Sequence, residues 1–229
     1  VRHWLAAGKH AGMRYMEGHE AMRLDPRLLV EGASTVISVA LNYFPAQPVT
    51  GISMYATGKD YHEVMRDRLH QLMEHIGATG RCFVDTAPVL ERYWATRCGI
   101  GWIGSNHQLI IPGMGSTFVL GELLIKEEAD HYDEPLQHDC GTCRRCLDAC
   151  PTKALNEEGL DARRCLSYLT IEHRDTLPDG TALPDGFYGC DRCQLACPHV
   201  RHARPTNETS FLPSPALQAM TPADWASLT

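Results

Sequence analysis

Eight of the ten cysteines lie between Cys140 and Cys197, and their spacing points to metal chemistry. The first four form the pattern Cys140-x-x-Cys143-x-x-Cys146-x-x-x-Cys150-Pro151. Bacterial ferredoxins hold four-iron four-sulfur clusters with this run, in which three thiolates bind one cluster and the fourth points to a neighbouring cluster. The first motif therefore predicts two clusters.

A second run, Cys190-x-x-Cys193-x-x-x-Cys197-Pro198, repeats the last three positions, and Phe187 stands where the first cysteine would be. Two clusters need eight thiolates, so we predict that Cys165, alone between the runs, supplies the eighth. The expected ligands of one cluster are Cys140, Cys143, Cys146 and Cys197, and those of the other are Cys150, Cys165, Cys190 and Cys193.

A disulfide framework and a double zinc site are the alternatives for these cysteines. Disulfide frameworks belong to small secreted chains without a core of their own, whereas the first half of this chain is long and apolar. Paired C-x-x-C units also bind zinc, but zinc does not account for the proline that follows each run. The isolated Cys82 and Cys98 are expected to be small buried hydrophobic residues.

The rest of the composition is that of a soluble globular protein. The 229 residues include 44% hydrophobic and 21% charged residues, enough for one large core and a smaller module. Because 21 Lys and Arg face 28 Asp and Glu, any nucleic-acid contact needs a local basic patch. No stretch reaches the roughly 18 apolar residues of a membrane helix, so we expect no membrane contact.

The hydrophobic pattern of the first half predicts strands that alternate with helices, followed by a hairpin. We expect strands over 35–41 and 81–84, a helix over 61–76, a helix from Pro88 through Trp94, and a hairpin of 108–112 with 117–124. These elements predict an α/β domain with a mixed sheet at 1–130. The cluster module follows at 131–205, and residues 206–229 are expected to be only loosely attached.

Asp85 is the main candidate for a catalytic acidic residue, because it follows the strand 81–84 at the edge where open α/β sheets place ligands. Capping of the next helix is the alternative role, and position alone favours it. Asp60-x-His62 resembles the start of a cobalamin-ligating D-x-H-x-x-G motif, but Met65 replaces its glycine. We therefore interpret His62 as a residue of the helix surface.

Two features near Asp85 have simple structural explanations. Glu91 and Arg92 are adjacent on a predicted helix, where a surface ion pair is the default. Residues 99–106 hold three glycines around Trp102, which would let the backbone approach a flat ligand closely. A plain turn explains this segment nearly as well.

Five blocks together resemble epoxyqueuosine reductase, over roughly residues 1–213. They are Val84-Asp-Thr-Ala-Pro-Val-Leu-Glu-Arg92, Gly99-Ile-Gly-Trp-Ile-Gly104, Leu120-Gly-Glu-Leu-Leu124, Asp161-Ala-Arg-Arg-Cys-Leu-Ser-Tyr-Leu-Thr-Ile-Glu172 and Tyr188-Gly-Cys-Asp-Arg-Cys-Gln194. The resemblance implies a cytoplasmic, cobalamin-dependent enzyme that reduces the epoxide of epoxyqueuosine at the tRNA wobble position to queuosine. It also implies an α/β (α+β) nitroreductase-like cobalamin-binding domain followed by the ferredoxin-like two-cluster module.

The same resemblance assigns roles to individual residues. Asp85 falls on the family's proposed proton donor, which outweighs the capping alternative. Ser167, two residues beyond Cys165, is expected to line the corrin. Contacts with cobalamin are also expected from Asn106, Gln108 and Ile110. The expected partners are tRNA carrying epoxyqueuosine and an external flavodoxin-type or ferredoxin-type electron donor, and we expect a monomer.

The sequence departs from the family pattern at several positions. Ser105 replaces a lysine, and His199-Val200 replaces Trp-Asn after the last cluster cysteine. The family's N-terminal segment and helical-repeat C-terminal part are expected to be missing. A local basic patch suitable for phosphate contacts is offered by Arg144, Arg145, Lys153, Arg163 and Arg164. The alternative functions are a two-cluster electron-transfer protein without its own catalysis and a corrinoid reductive dehalogenase-like enzyme.

Overall fold

The computed structural model describes residues 1–177, 179–181 and 186–227. Its strands are β1 (Thr35–Asn42), β2 (Gly51–Ile52), β3 (Gly80–Phe83), β4 (Trp102–Ile103), β5 (Leu109–Ile110), β6 (Phe118–Ile125), β7 (Leu155–Asn156), β8 (Gly159–Leu160) and β9 (Gly186–Tyr188). Its helices are α1 (Arg2–Ala6), α2 (Glu20–Leu24), α3 (Tyr61–His75), α4 (Glu91–Arg97), α5 (Arg145–Ala149), α6 (Leu166–Ile171), α7 (Arg192–Leu195), α8 (Pro215–Ala219) and α9 (Pro222–Ala226). The long elements lie in the first half, and the second half is built from short ones.

The central sheet has three strands in the order β1-β6-β3, and both pairings are antiparallel. The expected strands at 35–41 and 81–84 are confirmed, but the expectation of a mixed sheet is wrong for this sheet. Strand β6 lies in the middle and, apart from the buried Glu122, is apolar on both faces because helices cover both. Leu123 packs toward α3, and its neighbour Leu124 packs toward the side of α4. Gly121 lets α3 approach closely, since a Cβ there would lie 2.8 Å from Met65 and Leu69 atoms.

The expected hairpin of 108–112 with 117–124 is wrong. Strand β5 pairs with β4 instead, while β6 pairs with β1 and β3. The one isolated bridge in the described chain pairs Ile111 with Gly115, which lies before the expected second strand. The long apolar strand gains more from burial between two partner strands and two helices than from its neighbour in sequence.

Helix α3 confirms the expected helix at 61–76. Asp60 is its N-cap and accepts a hydrogen bond from the His62 amide, and Gly77 follows its end at φ +64°. Val64, Met65 and Leu69 are buried, as their helical spacing predicts. Helix α4 begins later than expected, after the N-cap Leu90, and Asp85 does not cap it.

The second half holds the cysteine-rich module and binds the N-terminal residues. The Trp4 indole donates to the Leu160 carbonyl at 2.7 Å, and the Gly12 amide donates to the Tyr168 hydroxyl at 2.9 Å. Trp4 and Met13 pack against the buried Leu166. The first residues of the chain therefore pack with the module that was assigned to 131–205.

The expectation of a loosely attached C-terminal stretch is wrong for residues 206–211. Phe211 is 3% exposed in the core beside α3, and the Lys59 amide donates to the Ser210 carbonyl. Arg68 also forms an ion pair with Glu208 at 2.7 Å. Within the described residues, no helix has the length and apolar character that crossing a bilayer requires.

Candidate active site

A cavity of about 420 Å³ lies between the sheet domain and the cysteine-rich module. Asp85, Asn106 and Gln108 line it from the sheet domain, and Cys165 and Ser167 line it from the other side. Elements about 80 residues apart in sequence thus form one chamber. It is large enough for a flat organic group with a thiol-rich wall on one side and a carboxyl on the other.

The eight clustered cysteines separate into the two predicted sets. One set lines a second cavity of about 70 Å³, and the other lines the large cavity. The members are Cys140, Cys143, Cys146 and Cys197 in the small cavity, and Cys150, Cys165, Cys190 and Cys193 in the large one. Among the described residues, no three His, Cys, Asp or Glu side chains converge closely enough to hold a single metal ion. The thiols surround cavities instead.

The Cys193 thiol shows the electrostatic problem that this clustering creates. Burial, and then the neighbouring Cys190 and Cys165, raise its pKa to about 12. Several thiolates cannot share such a site without compensating positive charge. Iron supplies that charge, because a coordinated thiol is deprotonated outright.

The two isolated cysteines lie away from both cavities. Cys82 and Cys98 are half-buried, and Cys82 Sγ lies 3.0 Å from His70 Nε2. Burial is the main cause that raises the pKa of both thiols. Neither side chain is fully buried, so the expectation of small buried hydrophobic residues is wrong in this respect.

Asp85 is held in a constrained position at the mouth of the large cavity. It directly follows the strand segment at Val84 and has φ +52°, a conformation that costs a non-glycine residue free energy. Its amide donates to Glu91 Oε1 at 2.5 Å, and the Tyr61 hydroxyl donates to its Oδ2 at 3.0 Å. These bonds aim the carboxyl into the cavity, with 59% of the side chain exposed.

His62 lies in the first turn of α3 with 26% of its side chain exposed, and it also contacts Asp85. His62 Nε2 lies 3.2 Å from Asp85 Oδ2, and His62 Nδ1 lies 2.7 Å from Asp60 Oδ1. The ring stacks on Tyr61 at 4.0 Å. The D-x-H segment therefore lies beside Asp85, a contact that its sequence did not predict.

The expected surface ion pair between Glu91 and Arg92 is replaced in the described chain by two separate contacts. Glu91 binds the Asp85 amide, and Arg92 donates to the His107 carbonyl. Burial is the largest cause that raises the pKa of Glu91 to about 7, and the Asp85 carboxylate adds to it. Behind Glu91, burial and then Glu91 itself raise the pKa of Glu122 to about 9. Two carboxyls near Asp85 therefore favour their neutral forms.

The other residues expected to contact cobalamin are divided between the two cavities. Asn106 is 3% exposed; its Oδ1 accepts from the Gln108 amide at 3.2 Å, and its Nδ2 has no partner among the described residues. Gln108 and Ser167 line the large cavity, Ile110 lines the small one, and Asn106 lines both. An orphaned buried amide at a cavity wall indicates a ligand that would accept its hydrogen bond.

The glycine-rich turn serves its own hairpin. A Cβ at Gly101 would lie 2.2 Å from the Ile110 carbonyl oxygen, and one at Gly104 would lie 2.9 Å from Asn106 Oδ1. These glycines therefore let β4 and β5 close and place Asn106. The Ser105 amide lies 3.4 Å from Cys140 Sγ, and this contact uses the backbone rather than the side chain of residue 105.

A buried polar network that the sequence did not predict joins the two halves at the cavity. Asp191 accepts from the Ser53 hydroxyl at 2.5 Å and from the Met54 amide at 2.8 Å. The Tyr43 hydroxyl donates to Gln194 Oε1 at 3.0 Å. The only sequence signal was the family block 188–194. This network fixes the loop that carries Cys190 and Cys193 against the sheet domain.

The expected basic patch is partly neutralised. Arg144 pairs with Glu157 at 2.5 Å, and Arg163 pairs with Asp161 at 2.7 Å. Exposed pairs of this kind contribute little to stability but reduce the charge available to phosphate.

Family models match two parts of the chain. Residues 23–86 match the model described as epoxyqueuosine reductase QueG, DUF1730, and residues 139–200 match a 4Fe-4S double cluster binding domain. These segments contain Asp85 and all eight clustered cysteines, respectively.

Curated relatives match over nearly the whole chain. The epoxyqueuosine reductase of Leadbetterella byssophila is 42% identical and is matched over 100% of this chain and 78% of its own length. That of Cyclobacterium marinum is 44% identical over 95% of this chain and 75% of its own length.

Solved structures agree in fold. The epoxyqueuosine reductase from Streptococcus thermophilus superposes with a TM-score of 0.80 at 34% identity, over 89% of this chain and 59% of that chain. An epoxyqueuosine reductase crystallised with an epoxyqueuosine-modified tRNA-Tyr stem loop gives a TM-score of 0.84 at 31% identity, over 97% and 65%. The present chain thus spans less than two thirds of these two solved chains.

Proposed function

The chain belongs to the epoxyqueuosine reductase family of oxidoreductases, and on that basis we propose that it reduces the epoxide of epoxyqueuosine in tRNA to queuosine. One observation carries the proposal. A single cavity is lined both by four thiols of a double-cluster domain and by Asp85. Electrons and a proton can therefore reach one substrate bound in it.

The cysteine-rich module serves electron supply in this proposal. Cys140, Cys143, Cys146 and Cys197 would bind the cluster farther from substrate, and the set that lines the large cavity would bind the nearer one. An external donor of the flavodoxin or ferredoxin type would reduce the outer cluster. The raised thiol pKa values fit a site that needs iron to compensate its charge.

We assign the cobalamin site to the large cavity, where several polar side chains could hold it. The orphaned Asn106 amide, with Gln108 and Ser167, would hold the group, and residues 1–130 would form its nitroreductase-like domain. When bound, cobalamin supplies a strongly reducing metal centre that the clusters can recharge. Asp85 faces the same space, and in the described chain the contacts of His62 are with Asp60 and Asp85.

The protein's own residues would supply the proton chemistry. Removing an epoxide oxygen as water consumes two electrons and two protons, so an acid must lie beside that oxygen. Asp85 is aimed into the cavity by Tyr61 and by the Glu91 contact with its amide. We assign it the role of proton donor.

The substrate in this proposal is tRNA, bound by a cytoplasmic monomer. The tRNA-Tyr stem loop in the related crystal structure supports this partner. Residues 206–229 would begin the family's C-terminal part.

The proposal is tested by anaerobic reconstitution with iron, sulfide and cobalamin, followed by mass spectrometry of epoxyqueuosine-containing tRNA-Tyr. Asp85→Asn should retain both clusters and cobalamin but lose product formation by at least about 100-fold. The control Asp67→Asn removes an exposed acid of α3 and should behave as wild type. Unchanged turnover of Asp85→Asn would remove the proton-donor role. A chain that binds clusters but no corrinoid would instead be an electron-transfer protein.

A further inference from the structure

Three side chains form a continuous hydrogen-bonded chain from the protein surface to the cavity. Asp60 Oδ1 lies 2.7 Å from His62 Nδ1, and His62 Nε2 lies 3.2 Å from Asp85 Oδ2. The Asp60 side chain is 57% exposed, while that of His62 is 26% exposed. The imidazole thus connects solvent with the carboxyl that faces substrate.

Two side chains lie within hydrogen-bonding distance of the Asp85 carboxyl. Its Oδ2 accepts a hydrogen bond from the Tyr61 hydroxyl and lies within hydrogen-bonding distance of the His62 imidazole. Its side chain is 59% exposed, so water also solvates the charge. Since each epoxide reduction consumes two protons, one carboxyl must be recharged during the reaction or be helped by a second acid.

We propose that His62 holds the proton for Asp85, so that the two residues act together as the acid; this inference rests on the proposed function. In the step, the Nε2–H bond of the imidazolium breaks and an O–H bond forms on Asp85 Oδ2. Asp85 then passes this proton to the epoxide oxygen. The neutral imidazole takes the next proton from water at its exposed edge, and Asp60 keeps the Nδ1–H in place throughout.

Four ionisable groups face the His62 ring. On its own helix these are Asp60 and the stacked Tyr61, whose burial raises its pKa. From the loop after β3 the facing group is Asp85, and from α4 it is Glu91. The carboxyl groups of Asp60 and Asp85 thus lie at the two ring nitrogens, which is the geometry that a proton relay through the imidazole needs.

His62→Gln tests the relay, because glutamine can donate a hydrogen bond to Asp85 but cannot carry the proton. We expect kcat on epoxyqueuosine-containing tRNA-Tyr to fall about 100-fold with KM within about twofold. The loss of rate toward basic pH in the wild type, where the pair has lost its proton, should be absent in the variant. The control His75→Gln changes an exposed histidine of the same helix and should match wild type. A His62→Gln variant within about threefold of wild type, with an unchanged pH profile, would overturn the relay.

A second measurement does not depend on turnover. Ring-nitrogen NMR of ¹⁵N-histidine-labelled, cluster-loaded protein should show the His62 proton on Nδ1 in its neutral form, held there by Asp60. The Nε2 shift should change in Asp85→Asn, and the tautomers should mix in Asp60→Asn, which keeps the helix cap. A His62 Nε2 chemical shift that is the same in wild type and in Asp85→Asn would overturn the relay. A wild-type chain with this NMR signature but no turnover would contradict the proposed function and leave the hydrogen-bonded chain established.

Discussion

Glu122 provides a quantitative test of the electrostatics behind the active site. It is 0% exposed in the centre of β6; its Oε1 accepts from the Ser38 hydroxyl at 3.3 Å, and Oε2 has no partner in the described residues. Burial, reinforced by Glu91, raises its pKa from 4.5 to about 9. The folded protein therefore keeps a proton that the unfolded chain loses, and its stability is highest below about pH 4.5 and falls until about pH 9.

The size of this effect follows from the linkage between protonation and folding. Each pH unit between the two pKa values costs about 1.4 kcal/mol of unfolding free energy. Between pH 5.5 and pH 8.0 the wild type should lose about 3 kcal/mol through Glu122. Glu122→Gln is always neutral, so its stability advantage over wild type should grow by about that amount over the same range.

Native-state hydrogen exchange is the suitable assay, because bound clusters of the kind proposed would prevent two-state thermal unfolding. The opening free energies of the Leu123 and Leu124 amides, compared between variant and wild type at each pH, report the difference. Glu128→Gln, at an exposed position beyond β6, is the matched control and should show no pH-dependent difference. If the opening free energies of Glu122→Gln and wild type differed by the same amount at pH 5.5 and at pH 8.0, the reasoning would be refuted.

Three further changes test the cavity and the core. Cys165→Ser should reduce bound iron from about eight to about four atoms, while Cys98→Ser should keep about eight; retention of all iron in Cys165→Ser would contradict the ligand assignment. Asn106→Leu should weaken cobalamin binding about tenfold in an anaerobic titration by removing one buried hydrogen-bond donor, and an unchanged Kd would show that its amide is not used. Phe211→Ala should cost about 3 kcal/mol in hydrogen-exchange stability because a buried ring leaves a cavity, and a loss below about 1 kcal/mol would show that residues 206–211 are dispensable to the core.

The local spacing of the cysteines was enough to predict the chemistry of the cysteine-rich module. The runs around Cys143 and Cys193 predict cluster binding because a tight loop needs its thiols a few residues apart. Counting ligands added Cys165, and that thiol lines the same cavity as Cys190. Helix α3 and the strands at 35–41 and 81–84 were predictable for the same reason, since periodicity reports a buried face along one element.

The sequence did not predict which distant elements pair with each other. The hairpin expectation failed because proximity along the chain favoured 108–112 as the partner of β6, whereas burial favoured β1 and β3. The position of Phe211 in the core beside α3 was missed for a similar reason, because its polar neighbours concealed one well-packed aromatic ring.

For Asp85, too, the sequence predicted the local position and the tertiary structure determined the contacts. Sequence alone determined that Asp85 stands at a strand end and that a D-x-H motif begins α3. Only the tertiary structure decided that His62 reaches Asp85, that Glu91 binds its amide, and that Glu122 is buried behind Glu91. Spacing within one turn is set by bond geometry, but contacts between residues of different elements depend on how the whole core packs.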